Sequence, residues 1–176
     1  NYAYMDSPLE AEKIFTEELA GTLYTVANDA KAGVTFNADT VSSYRLLGYD
    51  LKMISEDDFN NPEKDTGEIG SNLCVTVMYE LALTGEEGDL AEAAVRFRDT
   101  ADADREIACT VTREECETAD TQFAACVAEF ALVLRESQYM GTASLSGVLS
   151  RLAALPEGYL AGDAYKESFF DLVQKA

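Results

Sequence analysis

The spacing of apolar side chains changes twice along the 176-residue chain, from helical at the start, to alternating in the middle, and back to helical after Glu117. A helix buries residues that recur every three or four positions, and a strand buries every second one. Neither can replace the other without turning apolar side chains into water. The middle of the chain must therefore supply strands, and its flanks helices.

The first helical stretch opens at Ser7-Pro8-Leu9-Glu10, with Ser7 as N-cap, Pro8 at the first helical position and Glu10 able to close a capping box. Leu9, Ile14, Phe15, Leu19, Leu23 and Val26 continue one apolar stripe, which predicts a helix to about Ala27. Tyr2, Tyr4 and Met5 read as the end of a strand that feeds it. From Ala32 the period becomes two: Val34 and Phe36, then Tyr44, Leu46, Leu47 and Tyr49 within Val41–Asp50. Ile54–Ser71 is polar and reads as a long surface loop. Leu73–Leu83 has the cleanest alternation and predicts a central strand, followed by strands around Ala93–Arg98 and Ile107–Val111.

After Glu117, Phe123, Val127, Phe130, Ala131 and Leu134 form a helical stripe capped by Thr118 or Asp120 and stopping near Ser137. Leu145, Val148, Leu149 and Leu152 form a second stripe, ended by Pro156 and Gly158; Tyr165, Phe169, Leu172 and Val173 form a third. Five strands without intervening helices predict an α+β fold. Its core is an antiparallel β-sheet or sandwich of about five strands, preceded by one helix and followed by about three.

Composition narrows the chemistry. Acidic residues number 33 against 13 basic, a formal charge of −20, so phosphate backbones and anionic lipid surfaces are repelled at long range. The chain has no histidine, which excludes Ser-His-Asp and Cys-His catalysis and metal sites built on imidazole. The Gly67-Glu68-Ile69-Gly70 loop lacks the Lys of a phosphate loop and the third glycine of a dinucleotide turn. The longest apolar run, Phe123–Leu134, is interrupted by Glu129 and is shorter than the roughly 20 residues of a bilayer span, so direct membrane insertion is not expected. The chain opens without an initiator Met or a basic-then-apolar leader and reads as a piece of a longer or processed polypeptide. Cys74, Cys109, Cys116 and Cys126 form no Cys-x-x-Cys pair. Cys109 and Cys116 are near enough in sequence to bridge across a hairpin, although small buried thiols are the commoner outcome.

Carboxylates are the remaining source of chemistry. Asp57, Asp58, Asp65 and Glu68 lie in one loop, and clustered oxygens suit hard cations such as calcium. EF-hand spacing is not met: the pattern after Asp58 breaks at Pro62, and after Asp102 and Asp104 the required Gly is Ile107. A carboxylate pair in this loop doing acid and base work is the other chemical option. Tyr44, Tyr49, Phe59 and Tyr79 are candidates for an aromatic ligand platform, with core packing the commoner role for rings on alternating strands.

Several blocks taken together carry a resemblance. Tyr44-Arg45-Leu46-Leu47-Gly48-Tyr49-Asp50, Glu56-Asp57-Asp58-Phe59, Lys64-Asp65-Thr66-Gly67-Glu68-Ile69-Gly70 and Val75-Thr76-Val77-Met78-Tyr79-Glu80 resemble the region that follows the von Willebrand factor type A module in bacterial YfbK-type proteins. Glu18–Ala27 upstream, and Phe123–Leu134 with Arg135 and Tyr139 downstream, fit the same pattern. Thr66 and Ser71-Asn72 depart from it. The resemblance implies that residues 1–27 are the terminal strand and helix of the type A module, 28–117 the β-rich part of the C-terminal domain, and 118–176 its helical part. It further implies a non-catalytic accessory role in protein–protein interaction or adhesion at the cell envelope, with a protein partner and packing against the type A module. No cofactor is implied for this chain: the Asp-x-Ser-x-Ser motif that holds a divalent cation in type A modules does not occur in it.

Overall fold

The computed structural model describes residues 5, 7–18, 24–48, 67–71 and 74–176, in two units, Asn1–Val111 and Thr112–Ala176. In the first, helix α1 (Pro8–Lys13) starts where the Ser7 hydroxyl accepts the Glu10 N–H at 3.2 Å, and it runs into a π-helical turn at Ile14–Glu18. The strands are β1 (Thr25–Phe36), β2 (Val41–Leu47), β3 (Ile69–Gly70), β4 (Met78–Leu83), β5 (Ala91–Asp99) and β6 (Asp104–Val111). They make a four-stranded sheet in the order β3-β1-β5-β6 and a two-stranded ribbon of β2 and β4; every described pairing is antiparallel, as the sequence predicts.

Sheet and ribbon meet at the turn between β1 and β2. The Asn37 carbonyl accepts the Val41 N–H at 2.8 Å, and the Asn37 side-chain oxygen accepts the Asp39 N–H at 3.0 Å, a local ring that asparagine forms readily. Thr40, 1% exposed, sends its hydroxyl to the Asp89 carbonyl at 2.7 Å, and its own carbonyl accepts the Thr84 N–H at 3.0 Å. The Asn37 N–H donates to the Leu90 carbonyl at 2.9 Å and its side-chain amide to the Asp89 carbonyl at 3.0 Å. Gly88 lies against this knot with φ +142, and a β-carbon there would come 3.3 Å from the Thr40 methyl. One buried threonine thus ties the turn after β1 to the connection between β4 and β5.

Register assigns the faces of the main sheet. Val34 and Phe36 of β1 oppose Ala93 and Ala91, which in turn oppose Cys109 and Val111; Val95 opposes both Ala32 and Ile107. Directly opposed residues share a face, so this face is apolar up to its hairpin end, where Phe97 opposes Arg105. The other carries Lys31, Thr35, Glu92, Arg96, Glu106 and Thr110.

The second unit has α2 (Arg113–Cys116), α3 (Ala119–Leu134), α4 (Leu145–Ala153) and α5 (Ala164–Lys175). Thr112 and Glu115 form a reciprocal capping box, and Thr118, Ser144 and Asp163 cap the longer helices, which satisfies amide groups that the first turns leave open. Cys126, Phe130, Val148, Leu152, Leu155 and Val173 form its buried core, and the Phe169 ring meets Phe123 and Phe130 edge-on, each at 5.5 Å.

The structure corrects several expectations. The first helix does not reach Ala27: Thr25–Asn28 is strand, held by pairing to β3 and β5, and long-range partners override the short stripe of apolar spacings. Leu19 and Leu23 lie outside the described residues, as do Tyr2 and Tyr4. β1 begins well before Ala32 because a register shift between Asn28 and Lys31, with Asp29 at φ 49, breaks the two-residue period there. The loop expected over Ile54–Ser71 holds β3, whose two residues are too few to show a period, while 54–66 lie outside the described residues. The central strand expected over Leu73–Leu83 is shorter: β4 covers Met78–Leu83 and, among the described residues, pairs with β2 alone, Cys74–Val77 stays exposed outside the ladder, and Leu73 lies outside the described residues. Cys74 and Cys109 are exposed free thiols rather than buried ones, and Cys116 does not bridge to Cys109.

Two substitutions test these accounts in denaturant unfolding of the whole chain. Thr40→Val keeps the shape but removes the hydroxyl, and is expected to cost the strand unit about 1 kcal/mol. Leu152→Ala empties part of the helical core and is expected to cost that unit about 2–5 kcal/mol. A Thr40→Val transition that coincides with that of the parent chain would contradict the junction.

Candidate functional site

Of the acidic candidates, Asp57, Asp58 and Asp65 lie outside the described residues. Glu68 is exposed, next to Gly67, whose carbonyl accepts the Ala30 N–H at 3.0 Å. Among the described residues, no group of three or more Cys, Asp or Glu side chains is placed to hold a metal ion.

Carboxylates do gather at the closed end of the β5–β6 hairpin, where arginines compensate them. Arg98 lies 3.5 Å from Asp29, 3.5 Å from Asp102 and 3.6 Å from Asp104, and Arg105 donates to Asp99 at 2.8 Å. Asp99 also accepts the Ala101 and Ala103 N–H groups, at 2.9 and 3.0 Å. The Arg105 hydrogen bond, aided by these amides, holds its carboxyl below the usual aspartate range. A general acid needs the opposite shift, and the Asp99 carboxylate instead closes the β5–β6 turn through the Ala101 and Ala103 amides.

The helical unit offers two polar groupings. Tyr159 hydrogen-bonds Asp120, while the Lys166 ammonium sits 3.8 Å from the Tyr159 ring centre and 3.8 Å from the Asp120 carboxylate. Hydrogen bonding to Tyr159 pushes Lys166 up from the ordinary lysine value, and burial pushes Tyr159 up. Both therefore keep their protons at neutral pH and are poor bases or nucleophiles. In the second grouping, Glu129 is buried and pairs with Arg151 at 2.6 Å across α3 and α4 as an ion pair, with no well-aligned hydrogen bond to the facing oxygen. Burial pushes the neighbouring Cys126 thiol up, away from the reactive thiolate.

What the described residues expose is apolar surface on the strand unit. On the apolar face of the main sheet Ile107 is 64% exposed and Cys109 is exposed, while Val34, Val95 and Phe97 are half-buried. At one end of that face Phe36 stacks on Tyr44 with ring centres 4.1 Å apart, and Tyr79 meets Phe36 edge-on at 5.2 Å. Tyr44 is 61% exposed, so it is a surface platform rather than the core ring that its alternation suggested. Tyr49 and Phe59 lie outside the described residues. Burial, with Tyr44 adding to it, raises the Tyr79 phenol, so the Tyr79 ring acts as neutral contact surface. The exposure of Ile107 and Cys109 was missed by reading the sequence, because alternation marks a two-faced strand without saying whether anything covers its apolar side.

The Asp99 arrangement makes a pH prediction. A carboxylate whose folded pKa is depressed stabilises the fold above its unfolded value, about 4, and that contribution is lost as pH falls through the lower folded value. Acid titration followed by amide NMR should shift Ala101 and Ala103 below about pH 4. Asp99→Asn should abolish that shift, and persistence of the shift in the variant would contradict the assignment.

Comparison with known proteins places the chain. The family model described as uncharacterized protein YfbK, C-terminal, matches residues 21–116 and 94–176. The uncharacterized protein YfbK of Escherichia coli strain K12 is 38% identical over 90 residues, a match covering 51% of this chain and 16% of that protein. No solved structure matches the chain. Matched along nearly its whole length, the chain belongs to the family of YfbK C-terminal domains.

Proposed function

We propose that this chain is a non-catalytic accessory domain of a von Willebrand factor type A protein, supporting protein–protein contact or adhesion at the bacterial cell envelope. The observation that carries this reading is the apolar sheet face of β1, β5 and β6, with Ile107 and Cys109 exposed and the Phe36, Tyr44 and Tyr79 rings at its end. Apolar side chains left in water on a sheet face, as Ile107 and Cys109 are, are costly to a domain on its own and favour a contact site there. The sequence blocks that resemble the region behind a type A module support that module as one partner in the same polypeptide, with a further protein as the other. The chain itself takes no cofactor in this reading; a divalent cation belongs to the type A module.

Nucleic acid is outside the reading because of the charge of −20, and no described helix is long and apolar enough to cross a membrane. The alternatives, a carboxylate hydrolase and a calcium-binding module, rest on residues 56–68, of which Gly67 and Glu68 are described, neither in a metal-capable group.

The test compares a type A protein of this family with and without residues 28–176. Removal is expected to lower the melting midpoint of the type A module or to abolish its partner binding; no change in either contradicts the proposal. Calcium is expected to leave the melt of the present chain unmoved, whereas a calcium module would gain about 2.7 kcal/mol at ~100 times its dissociation constant.

A further inference from the structure

Strand β6 ends the four-stranded sheet, so its outer row of backbone N–H and C=O groups faces away from β5. Every side chain from Asp104 to Thr110 is exposed. Folded proteins commonly blunt such an edge with charge, proline or a bulge. Ile107–Val111 contains no charged residue and no proline, and its register with β5 runs unbroken from Ala91–Val111 to Arg98–Asp104. This half of the edge is uncharged, free of bulges in its pairing with β5, and among the described residues no other strand pairs with it.

Its two sides differ in chemistry. Ile107 and Cys109 belong to the apolar face, which Arg105, held by Asp99, bounds at the hairpin end, and Asp104, Glu106 and Thr110 belong to the polar one. The Asp104 side chain is 93% exposed despite its approach to Arg98, and Glu106, paired with Arg96, is 50% exposed, so both retain accepting capacity toward the open side. A strand laid against β6 would set its own alternate side chains beside these two rows.

We propose that β6 is a docking edge for an extended segment of a partner protein whose side chains alternate between apolar and basic. The apolar side chains lie beside Ile107 and Cys109, and the basic ones beside Asp104 and Glu106. The inference rests on the reading of this chain as a protein-contact domain and specifies the chemistry of the contact. Charge selects a basic partner over a second copy, because two chains of −20 repel at long range while a basic segment is drawn in.

The experiment titrates the whole chain with a labelled peptide of alternating valine and lysine, followed by fluorescence anisotropy and amide hydrogen exchange. Saturable binding is expected, with slowed exchange at Ile107–Val111. Affinity should fall about tenfold or more when the peptide is N-methylated at the backbone positions that would pair, and by a similar factor for Ile107→Asp, an exposed site that spares the core. Asp104→Lys, also exposed, should weaken binding and flatten its salt dependence.

Absence of saturable binding, equal affinity for the methylated peptide, or unchanged exchange in β6 at saturation would overturn the docking edge; undiminished affinity of Asp104→Lys would overturn its basic specificity. If the peptide fails while residues 28–176 still stabilise the type A module, the edge proposal falls alone. If the peptide binds and the module is indifferent to those residues, the accessory role falls instead.

Discussion

The hydroxyl of Thr40, donating to the Asp89 carbonyl from a site closed to water, joins two parts of the strand unit that are remote in sequence. A hydroxyl in that position cannot turn to solvent, so the bond holds the turn after β1 against the segment that enters β5. The Thr84 N–H donating to the Thr40 carbonyl brings the end of β4 to the same point. The antiparallel ribbon and the antiparallel sheet thus share one polar knot, flanked by buried Val41, Leu90 and Ala91. Its net contribution is modest, as for any hydrogen bond exchanged with water, but its placement fixes which residues of β1 and β5 oppose one another.

Apolar burial is divided unevenly. The helical unit contains a contiguous core with aromatic edge-to-face contacts and a cap at each of its longer helices. Among the described residues of the strand unit buried apolar side chains are few, and one sheet face carries Ile107 and Cys109 into water. A face of that character loses free energy in water at roughly 25 cal/mol per Å² of apolar area relative to a covered one. That cost is what a docking partner would remove, and it links the geometry of β6 to the proposed role in protein contact.

The helical part of the fold was nearly all legible in the sequence. Thr118 stands before apolar residues at helical spacing, and the two later stripes have the same spacing with caps, Ser144 and Asp163, that the structure supplies; local signals of this kind do not depend on distant partners. The strands were legible in kind and less so in extent. Thr25–Asn28 reads as helix by spacing and becomes strand through β3 and β5, and the irregularity at Asp29 hides the continuity of β1. The alternation at Leu73–Leu83 was strong, yet it could not say that β4 would pair with one strand rather than two among the described residues. The open apolar face was illegible for the same reason: a pattern records two unlike sides and is silent about what covers either. The absence of histidine, by contrast, removed whole classes of catalysis from composition alone.

Methyl NMR of the whole chain with a soluble paramagnetic agent tests most directly whether the strand unit presents an apolar face to partners. Strong relaxation at the Ile107 methyls, clear relaxation at Val95 and Val34, and almost none at Val148 or Leu152 is the predicted order. Ile107 and Val95 methyls as protected as those of the helical core would mean that the face is already covered, and would contradict the account.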